Sequence, residues 1–367
     1  MALPEDMLLE IFKRLQHTVD VTRCAAVCRR WRSVISACAS SLPARPRHLG
    51  FFYNYACDQW FVPTKAGVDL SLGRRFVPPI SYGTVVEDCR GGRLLLRKVS
   101  KTELRLIVCH PLERSFVRLP PLLAILADRL ALIALVPTGP GFRVAVVVLD
   151  LPKDGWHFHL WVYHCTSDSW ESAEFRGAKR VRGRARALVS TAGQSIVVGD
   201  IVYKLQRDHQ GIVAINTAEM TLYVLPLPAD AATNMYQGDR YCIGKTADCR
   251  LCFFTLVVPL VLLTWILQGP AGTWEAKQTP VALWQLMKLS VWDWYHRHVG
   301  FRGFCEGSGT LFFIMTDRLI ALDLNTLNME MMWDSTDKNP LRQVYPYEML
   351  PWPPVLKDFT KSTVLGS

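Results

Sequence analysis

Apolar and polar positions follow two different periods along this chain, and the change of period divides it into two parts. Near the N-terminus, apolar residues recur at intervals of three and four, as on one face of an amphipathic helix. They are Leu8, Ile11, Phe12 and Leu15. Pro4 suits the first turn of such a helix, because the N–H that proline lacks would be unpaired there in any case. The pattern predicts an amphipathic N-terminal helix.

A second apolar stripe with helical spacing follows at once. Its members are Cys24, Val27, Cys28, Trp31, Val34 and Ile35. Two or three short helices in so few residues cannot bury this much apolar surface by themselves, so part of it needs a partner. That partner is either another protein or the rest of this chain, because a helical hairpin packed on its own C-terminal domain would show the same stripe.

Beyond a linker rich in Pro and small residues (residues 40–46), the pattern becomes one of short apolar runs separated by polar turns. Six units, each with an apolar run, a turn and a second run, are centred near residues 57, 111, 167, 217, 270 and 326. Their spacing of roughly 50 to 56 residues is typical of propeller blades, which hold several strands each. The chain is therefore predicted to be mainly β, with a small all-α N-terminal module followed by a β-propeller-like domain of six blades.

Composition supports this fold class. The chain has 12 Trp, 16 Phe and 11 Tyr, and these residues favour strands. Half of the residues are apolar and 20% are charged, so a packed core is expected. The 11 cysteines show no regular spacing, and the opening residues lack the pattern of a secretory signal, so we expect reduced thiols in the cytoplasm or nucleus.

The N-terminal residues resemble an F-box. The resemblance rests on the Leu3-Pro4 opening, the apolar stripe after it and the segment from Val27 to Arg32, which reads Val-Cys-Arg-Arg-Trp-Arg. In that family the helices pack on the Skp adaptor, which is tethered to a cullin scaffold and a RING subunit. The resemblance implies that seven residues meet the adaptor: Leu3, Pro4, Leu8, Ile11, Phe12, Leu15 and Val27. It also implies that Cys28, Trp31 and Ile35 form the core of the module.

The remainder is similar to the F-box-associated β domains of plants, which are numerous in grass genomes. The similarity lies in Trp161-Val162-Tyr163 with Trp170, and in Tyr345-Pro346-Tyr347-Glu348 with Trp352-Pro353-Pro354. It implies an F-box helical domain at residues 1–40 and a substrate-recognition domain at residues 47–360. The chain would then be the substrate-recognition adaptor of a Skp–cullin–F-box ubiquitin ligase. The substrate would be a protein, and neither its identity nor the residues that bind it follow from the sequence.

Net charge and hydropathy leave other partners open. The chain carries a net charge of +10, and a basic run at residues 179–186 is predicted to be an exposed loop. No aromatic residue interleaves with that run, so a nucleic-acid surface is not expected.

The apolar run at residues 251–267 is shorter than the roughly 20 residues of a spanning helix and contains Pro259. It therefore predicts two buried strands joined by a tight turn, and no membrane partner is expected.

Candidate catalytic and metal-binding groups are sparse. Cys249 and Cys252 have Cys-x-x-Cys spacing without a second pair, and His157 with His159 and His296 with His298 are isolated pairs. No nucleophile elbow or phosphate-binding loop is present. We expect no enzyme activity, no catalytic residue, no metal and no cofactor. The alternatives are a free-standing propeller binding module, a propeller hydrolase with convergent His and carboxylate groups around its channel, and a nucleic-acid-binding protein with steep salt dependence.

Overall fold

The computed structural model describes most residues of the chain. These are residues 3–15, 21, 24–25, 27–37, 47–55, 58–64, 83–98, 103–111, 115–123, 130–138, 141–150, 155–178, 194–206, 211–230, 240–258, 260–269, 272–277, 279–287, 299–334, 341 and 343–349. Several sequence predictions lie outside them: the linker, the basic run at residues 179–186, the pair His296 and His298, and Trp352-Pro353-Pro354.

The N-terminal module contains helices α1 (Glu5–Lys13) and α2 (Arg29–Ala37), as the apolar stripes predict. Helix α1 has acidic residues in its first turn and Lys13 in its last, an arrangement that suits the helix dipole. The core of the module consists of Leu8, Phe12, Val21, Ala25, Val34 and Ile35. The ring of Trp31 closes one side of this core, edge-on to Phe12 with 5.3 Å between ring centroids.

The rest of the described chain forms six antiparallel sheets, and five of them consist of consecutive strands. The first of these five contains β3 (Thr84–Arg90), β4 (Arg93–Lys98), β5 (Glu103–His110), β6 (Ser115–Arg118) and, paired with β5, β7 (Leu122–Leu123). The second contains β8 (Leu130–Thr138), β9 (Gly141–Asp150), β10 (Gly155–His164) and β11 (Ser169–Ala178). The third contains β12 (Ile196–Val198), β13 (Ile201–Leu205), β14 (Gly211–Asn216) and β15 (Thr221–Pro226).

The fourth contains β16 (Tyr241–Lys245), β17 (Leu251–Val257), β18 (Val261–Gln268), β19 (Thr273–Ala276) and, paired with β18, β20 (Val281–Ala282). A short helix, α3 (Leu283–Leu286), follows β20. The fifth contains β21 (Val299–Cys305), β22 (Thr310–Met315), β23 (Arg318–Asp323) and β24 (Met329–Asp334).

The sixth sheet, called the closing sheet below, joins the two ends of the β domain. It contains β1 (Arg47–Tyr55), β2 (Asp58–Pro63) and β25 (Tyr345–Met349), in the order β2-β1-β25. Strand β25 contacts both β3 and β21, the first strands of the two neighbouring sheets. Contacts of β3 with β8, of β13 with β8 and β16, and of β16 with β21 complete the circle. The domain is therefore a ring of six blades, which confirms the predicted fold class and blade number.

The apolar run at residues 251–267 forms two paired strands, as predicted. Strands β17 and β18 are antiparallel, and Val257 pairs with Val261 next to the turn. Residues 251–256 of β17 are all buried, and Leu262 and Trp265 of β18 are buried in the same core cluster, which explains the apolar composition of the run. Among the described helices, none combines the length and hydropathy that crossing a membrane requires.

Among the described residues, the same type of hydrogen bond, from a tryptophan indole to a proline carbonyl, joins two pairs of neighbouring blades. In the second of the five sheets, the Trp170 indole N–H donates to the carbonyl oxygen of Pro120 in the preceding blade at 2.9 Å. In the fourth, the Trp274 indole N–H donates to the carbonyl oxygen of Pro226 in the preceding blade at 2.8 Å. Each tryptophan thus fastens the outer strand of one blade to the end of the outer strand before it.

Candidate docking surface and the polar centre of the ring

Helix α1 has two apolar faces rather than one. One face is buried in the module, where Leu8 is 1% exposed and Phe12 is 0% exposed. The other faces solvent, where Leu3 is 44% exposed, Met7 53% and Ile11 44%. The exposed residues are four positions apart, so they form a stripe along the helix and the residues just before it. We call Leu3, Met7 and Ile11 the docking stripe.

The structure shows where each residue lies that the F-box resemblance assigns to adaptor contact or to the module core. Leu8 and Phe12, expected to meet the adaptor, are core residues of the module here, because they pack against Val34 and Ile35 from α2. Cys28, expected in the core, is exposed, and its sulfur accepts a hydrogen bond from the N–H of Trp31 at 3.5 Å. Cys28 is therefore a surface residue at the start of α2.

The other predicted residues occupy intermediate or expected positions. Pro4 is exposed, Val27 is 64% exposed and Leu15 is half-buried. Ile35 is 0% exposed and lies in the module core, and Trp31 is half-buried and packs against that core. Contact with an adaptor stays a prediction for all seven residues.

Met7 was missed by the sequence reasoning. The signal was available, because Leu3, Met7 and Ile11 lie at i, i+4 and i+8. The stripe through Leu8 and Phe12 is also apolar, however, and periodicity alone does not show which of two apolar faces turns inward.

Arginine side chains connect the segments of the module. The guanidinium of Arg30 on α2 donates to the carbonyl oxygen of Leu3, which precedes α1. The Nε–H of Arg32 donates to the carbonyl oxygen of Ala25 at 3.2 Å. These arginines lie off the apolar stripe of α2, so they hold backbone segments together without entering the core.

A buried polar cluster occupies the inner strands of the propeller. Arg90, at the end of β3, is its centre and donates hydrogen bonds to groups from four blades. Its acceptors are the Asp88 carboxylate, the Glu306 carboxylate at 2.7 Å, the Leu135 carbonyl oxygen at 3.0 Å, and the Ser195 carbonyl and hydroxyl oxygens, the hydroxyl at 3.1 Å. We call Asp88, Arg90, Lys245 and Glu306 the polar hub.

Glu306 extends the hub to a further blade. Lys245, at the end of β16, donates to its second carboxylate oxygen at 2.8 Å. The N–H of Val197 on β12 donates to the first at 3.1 Å. Next to Glu306, the N–H groups of Gly307 and Ser308 donate to the carboxylate of Glu348 on β25, at 2.9 and 2.6 Å. All six blades are thus joined through this cluster and the adjoining turn.

The two hub carboxylates differ in electrostatic surroundings. Burial raises the pKa of Asp88 to about 6, because one cation, Arg90, only partly offsets the loss of solvent. Burial also acts to raise the pKa of Glu306, but Arg90 and Lys245 together outweigh it, so this pKa lies below its ordinary value. Glu306 therefore stays ionised to a lower pH than Asp88.

Every hub carboxylate is engaged by cations or backbone N–H groups, and in the described chain no histidine joins them. This arrangement braces the ring and leaves neither carboxylate free to act as a general base.

Of the candidate metal ligands, Cys249 is exposed and Cys252 is buried, and burial raises the pKa of Cys252 to about 12. His159 stacks on Trp161 with 5.4 Å between ring centroids. Within the described ranges, no three His, Cys, Asp or Glu residues are grouped to hold a metal ion.

Two family models match the chain. The model described as F-box protein AT5G49610-like, beta-propeller, matches residues 85–356. The model described as F-box-like matches residues 1–40, the segment that carries the docking stripe.

Individual relatives are more distant. One is an Arabidopsis thaliana protein assigned by its name to the F-box/kelch-repeat class, 33% identical over an alignment of 140 residues, with 32% of this chain and 32% of that relative covered. The chain thus matches about a third of the length of this curated relative.

Among solved structures, the β-propeller domain of the Trilobed protease from Pyrococcus furiosus is 12% identical, with 86% of this chain and 99% of that chain covered and a TM-score of 0.38. Apo AztD from Citrobacter koseri is 10% identical, with 80% and 84% covered and a TM-score of 0.38. At these identities and TM-scores, structural similarity gives no information about the function of the chain.

Proposed function

Because this chain belongs to the AT5G49610-like family of F-box proteins with a β-propeller, we propose that it is the substrate-recognition subunit of a Skp–cullin–F-box ubiquitin ligase. The family is of a non-enzymatic adaptor type. The observation that carries the proposal is the docking stripe, an apolar surface that faces solvent while Leu8 and Phe12 of the same helix are buried. Apolar side chains exposed in a row are typical of protein–protein interfaces.

In this proposal the two parts of the chain have separate roles. Residues 1–40 dock on the Skp adaptor and, through it, on the cullin and RING subunits. Residues 47–360 bind the protein to be ubiquitinated. The chain would raise the rate by holding its substrate near the charged conjugating enzyme, which requires no reactive side chain of its own. The engaged carboxylates of the polar hub are consistent with that role. It would act in the cytoplasm or nucleus.

We assign the predicted docking residues two roles according to their exposure. Leu3, Pro4, Ile11 and Val27 are exposed and would contact the adaptor directly, together with Met7. The remaining three, Leu8, Phe12 and Leu15, would support that surface from beneath it. A variant for testing docking should therefore change exposed residues, because truncating Leu8 or Phe12 would leave a cavity in the module.

The proposal is tested by co-purification of the full chain with a Skp adaptor and cullin. The docking variant is Met7→Asp with Ile11→Asp, which places charge on the stripe without touching the module core. We expect wild type to capture both proteins and the variant to capture neither.

The matched control is Asp6→Asn with Glu10→Gln, two exposed residues of the same helix. It should retain capture. Equal capture by the docking variant and wild type would contradict the assignment of the stripe.

A further inference from the structure

Leu3 differs from the rest of the docking stripe in how it is held. Met7 and Ile11 lie within α1, which fixes their backbone. Leu3 precedes the helix, whose first described hydrogen bond runs from the N–H of Leu8 to the carbonyl oxygen of Pro4 at 3.1 Å. Leu3 is attached instead by the bond that its carbonyl oxygen accepts from Arg30, 27 positions later on α2.

From this geometry we propose that Arg30 is a positioning residue for adaptor docking, holding Leu3 in line with Met7 and Ile11. The inference rests on the proposed function and adds a residue to it. Arg30 acts here through Leu3 and not by its own contact with the partner.

The contact is suited to ordering a surface rather than to stabilising the module. Both partners are exposed, and a charged hydrogen bond in solvent adds little to the free energy of unfolding. It does restrict the backbone of Leu3 before the partner arrives. Without it, the entropy of ordering this residue would be lost at binding, which weakens affinity while leaving the fold unchanged.

The chain offers a matched control beside Arg30. Arg29 is the neighbouring residue, is also exposed and carries the same charge. Among the described residues it forms no hydrogen bond or ion pair. Arg29→Ala therefore removes one positive charge from the same helix turn and leaves Leu3 attached.

The test is a double-mutant cycle on the full chain, with affinity for a purified Skp adaptor and the unfolding temperature measured for each variant. Arg30→Ala should weaken binding by roughly five- to thirtyfold, the factor expected for ordering about one residue at binding. Arg29→Ala should change the affinity less than twofold. Both variants should unfold at the wild-type temperature.

The decisive comparison is made in a Leu3→Ala background, where Arg30→Ala should weaken binding by less than twofold because the side chain it positions is gone. A full effect of Arg30→Ala in that background would show direct contact with the partner and overturn the inference. So would equal affinities of the Arg29→Ala and Arg30→Ala variants. If folded wild-type protein fails to bind the Skp adaptor, the proposed function is wrong. The inference about Arg30, which rests on that function, is then wrong as well.

Discussion

At the scale of single residues, His48 shows what burial does to a titratable group. It lies on β1 of the closing sheet, 5.1 Å from the ring of Phe312 between centroids, and its Nε2 atom is buried. Burial lowers the pKa of His48 to about 4, against a smaller raising effect of its hydrogen bond to the Gly50 backbone. The neutral ring is thus the form that fits the folded protein.

This shift predicts acid sensitivity. In the unfolded chain His48 takes up a proton near its ordinary pKa of 6.5, whereas in the folded protein it does so only near 4. Stability from this residue is therefore present above pH 6.5 and is lost as pH falls towards 4, by about 3 kcal/mol in total. His48→Phe keeps the ring packing and removes the titration.

Urea unfolding at a series of pH values from 7 to 4 measures the effect. Wild type should lose stability relative to the His48→Phe variant as the pH falls. Parallel pH profiles of the two proteins would contradict the assignment.

At the scale of elements, the polar hub explains why strands distant in sequence stay together. Arg90 and Glu306 are separated by 216 positions, yet they meet because β3 and β21 are both inner strands of the ring. A buried charge is tolerated only while it is paired and hydrogen-bonded. Each hub residue therefore depends on the blades that supply its partners.

Glu306→Gln tests this dependence. The substitution keeps the shape but leaves Arg90 and Lys245 without their shared anion, so we expect a loss of about 3–5 kcal/mol in the free energy of unfolding. Glu103→Gln makes the same change in the more exposed ion pair with Arg105 and should cost about 1 kcal/mol or less. Denaturant unfolding measures both variants, and similar losses would refute a bracing role for the hub.

The sequence predicts elements well where the signal is local. The helical stripes of α1 and α2 and the strand pair at residues 251–267 follow from periodicity and from the position of a single proline. The burial of Leu8 and the exposure of Cys28 do not, because they depend on how α2 packs against α1. The polar hub is equally hidden, since its members are single charged residues at the ends of unrelated strands.

The predicted repeat agrees with the strand order in most of its units. The turns near 111, 167, 217 and 326 join the third and fourth strands of their blades, and strands β18 and β19, on either side of residue 270, pair in the same way. The unit near residue 57 is different, because β1 and β2 are the second and third strands of the closing sheet when counted from β25. The turn near residue 57 is regularly spaced in the sequence, but it does not occupy the same place in its blade as the other five turns.

At the scale of the whole molecule, ring closure ties the two ends of the β domain together. Phe52 on β1 pairs with Tyr345 on β25, and Tyr347 packs edge-on against Phe52 and Phe61, at 5.4 and 6.1 Å between ring centroids. Sequence patterns do not reveal this pairing, because it joins strands almost three hundred positions apart. Closure removes the free sheet edges that an open ring would expose.

Tyr347→Ala should therefore destabilise the domain as a whole. Tyr347 is 0% exposed, and its truncation should cost about 3–5 kcal/mol. The same substitution at Tyr223, an exposed residue of outer strand β15, should cost about 1 kcal/mol or less. Both costs are read from denaturant unfolding. If the Tyr347→Ala and Tyr223→Ala variants had equal midpoints, closure would not be a main source of stability.

The central claim is that the docking stripe of a folded chain binds a Skp adaptor, and a direct titration of the full-length protein with purified adaptor tests it. We predict saturable binding with one adaptor per chain, lost in the Met7→Asp, Ile11→Asp variant although its unfolding temperature is unchanged. Absence of binding by folded wild-type protein would contradict the account.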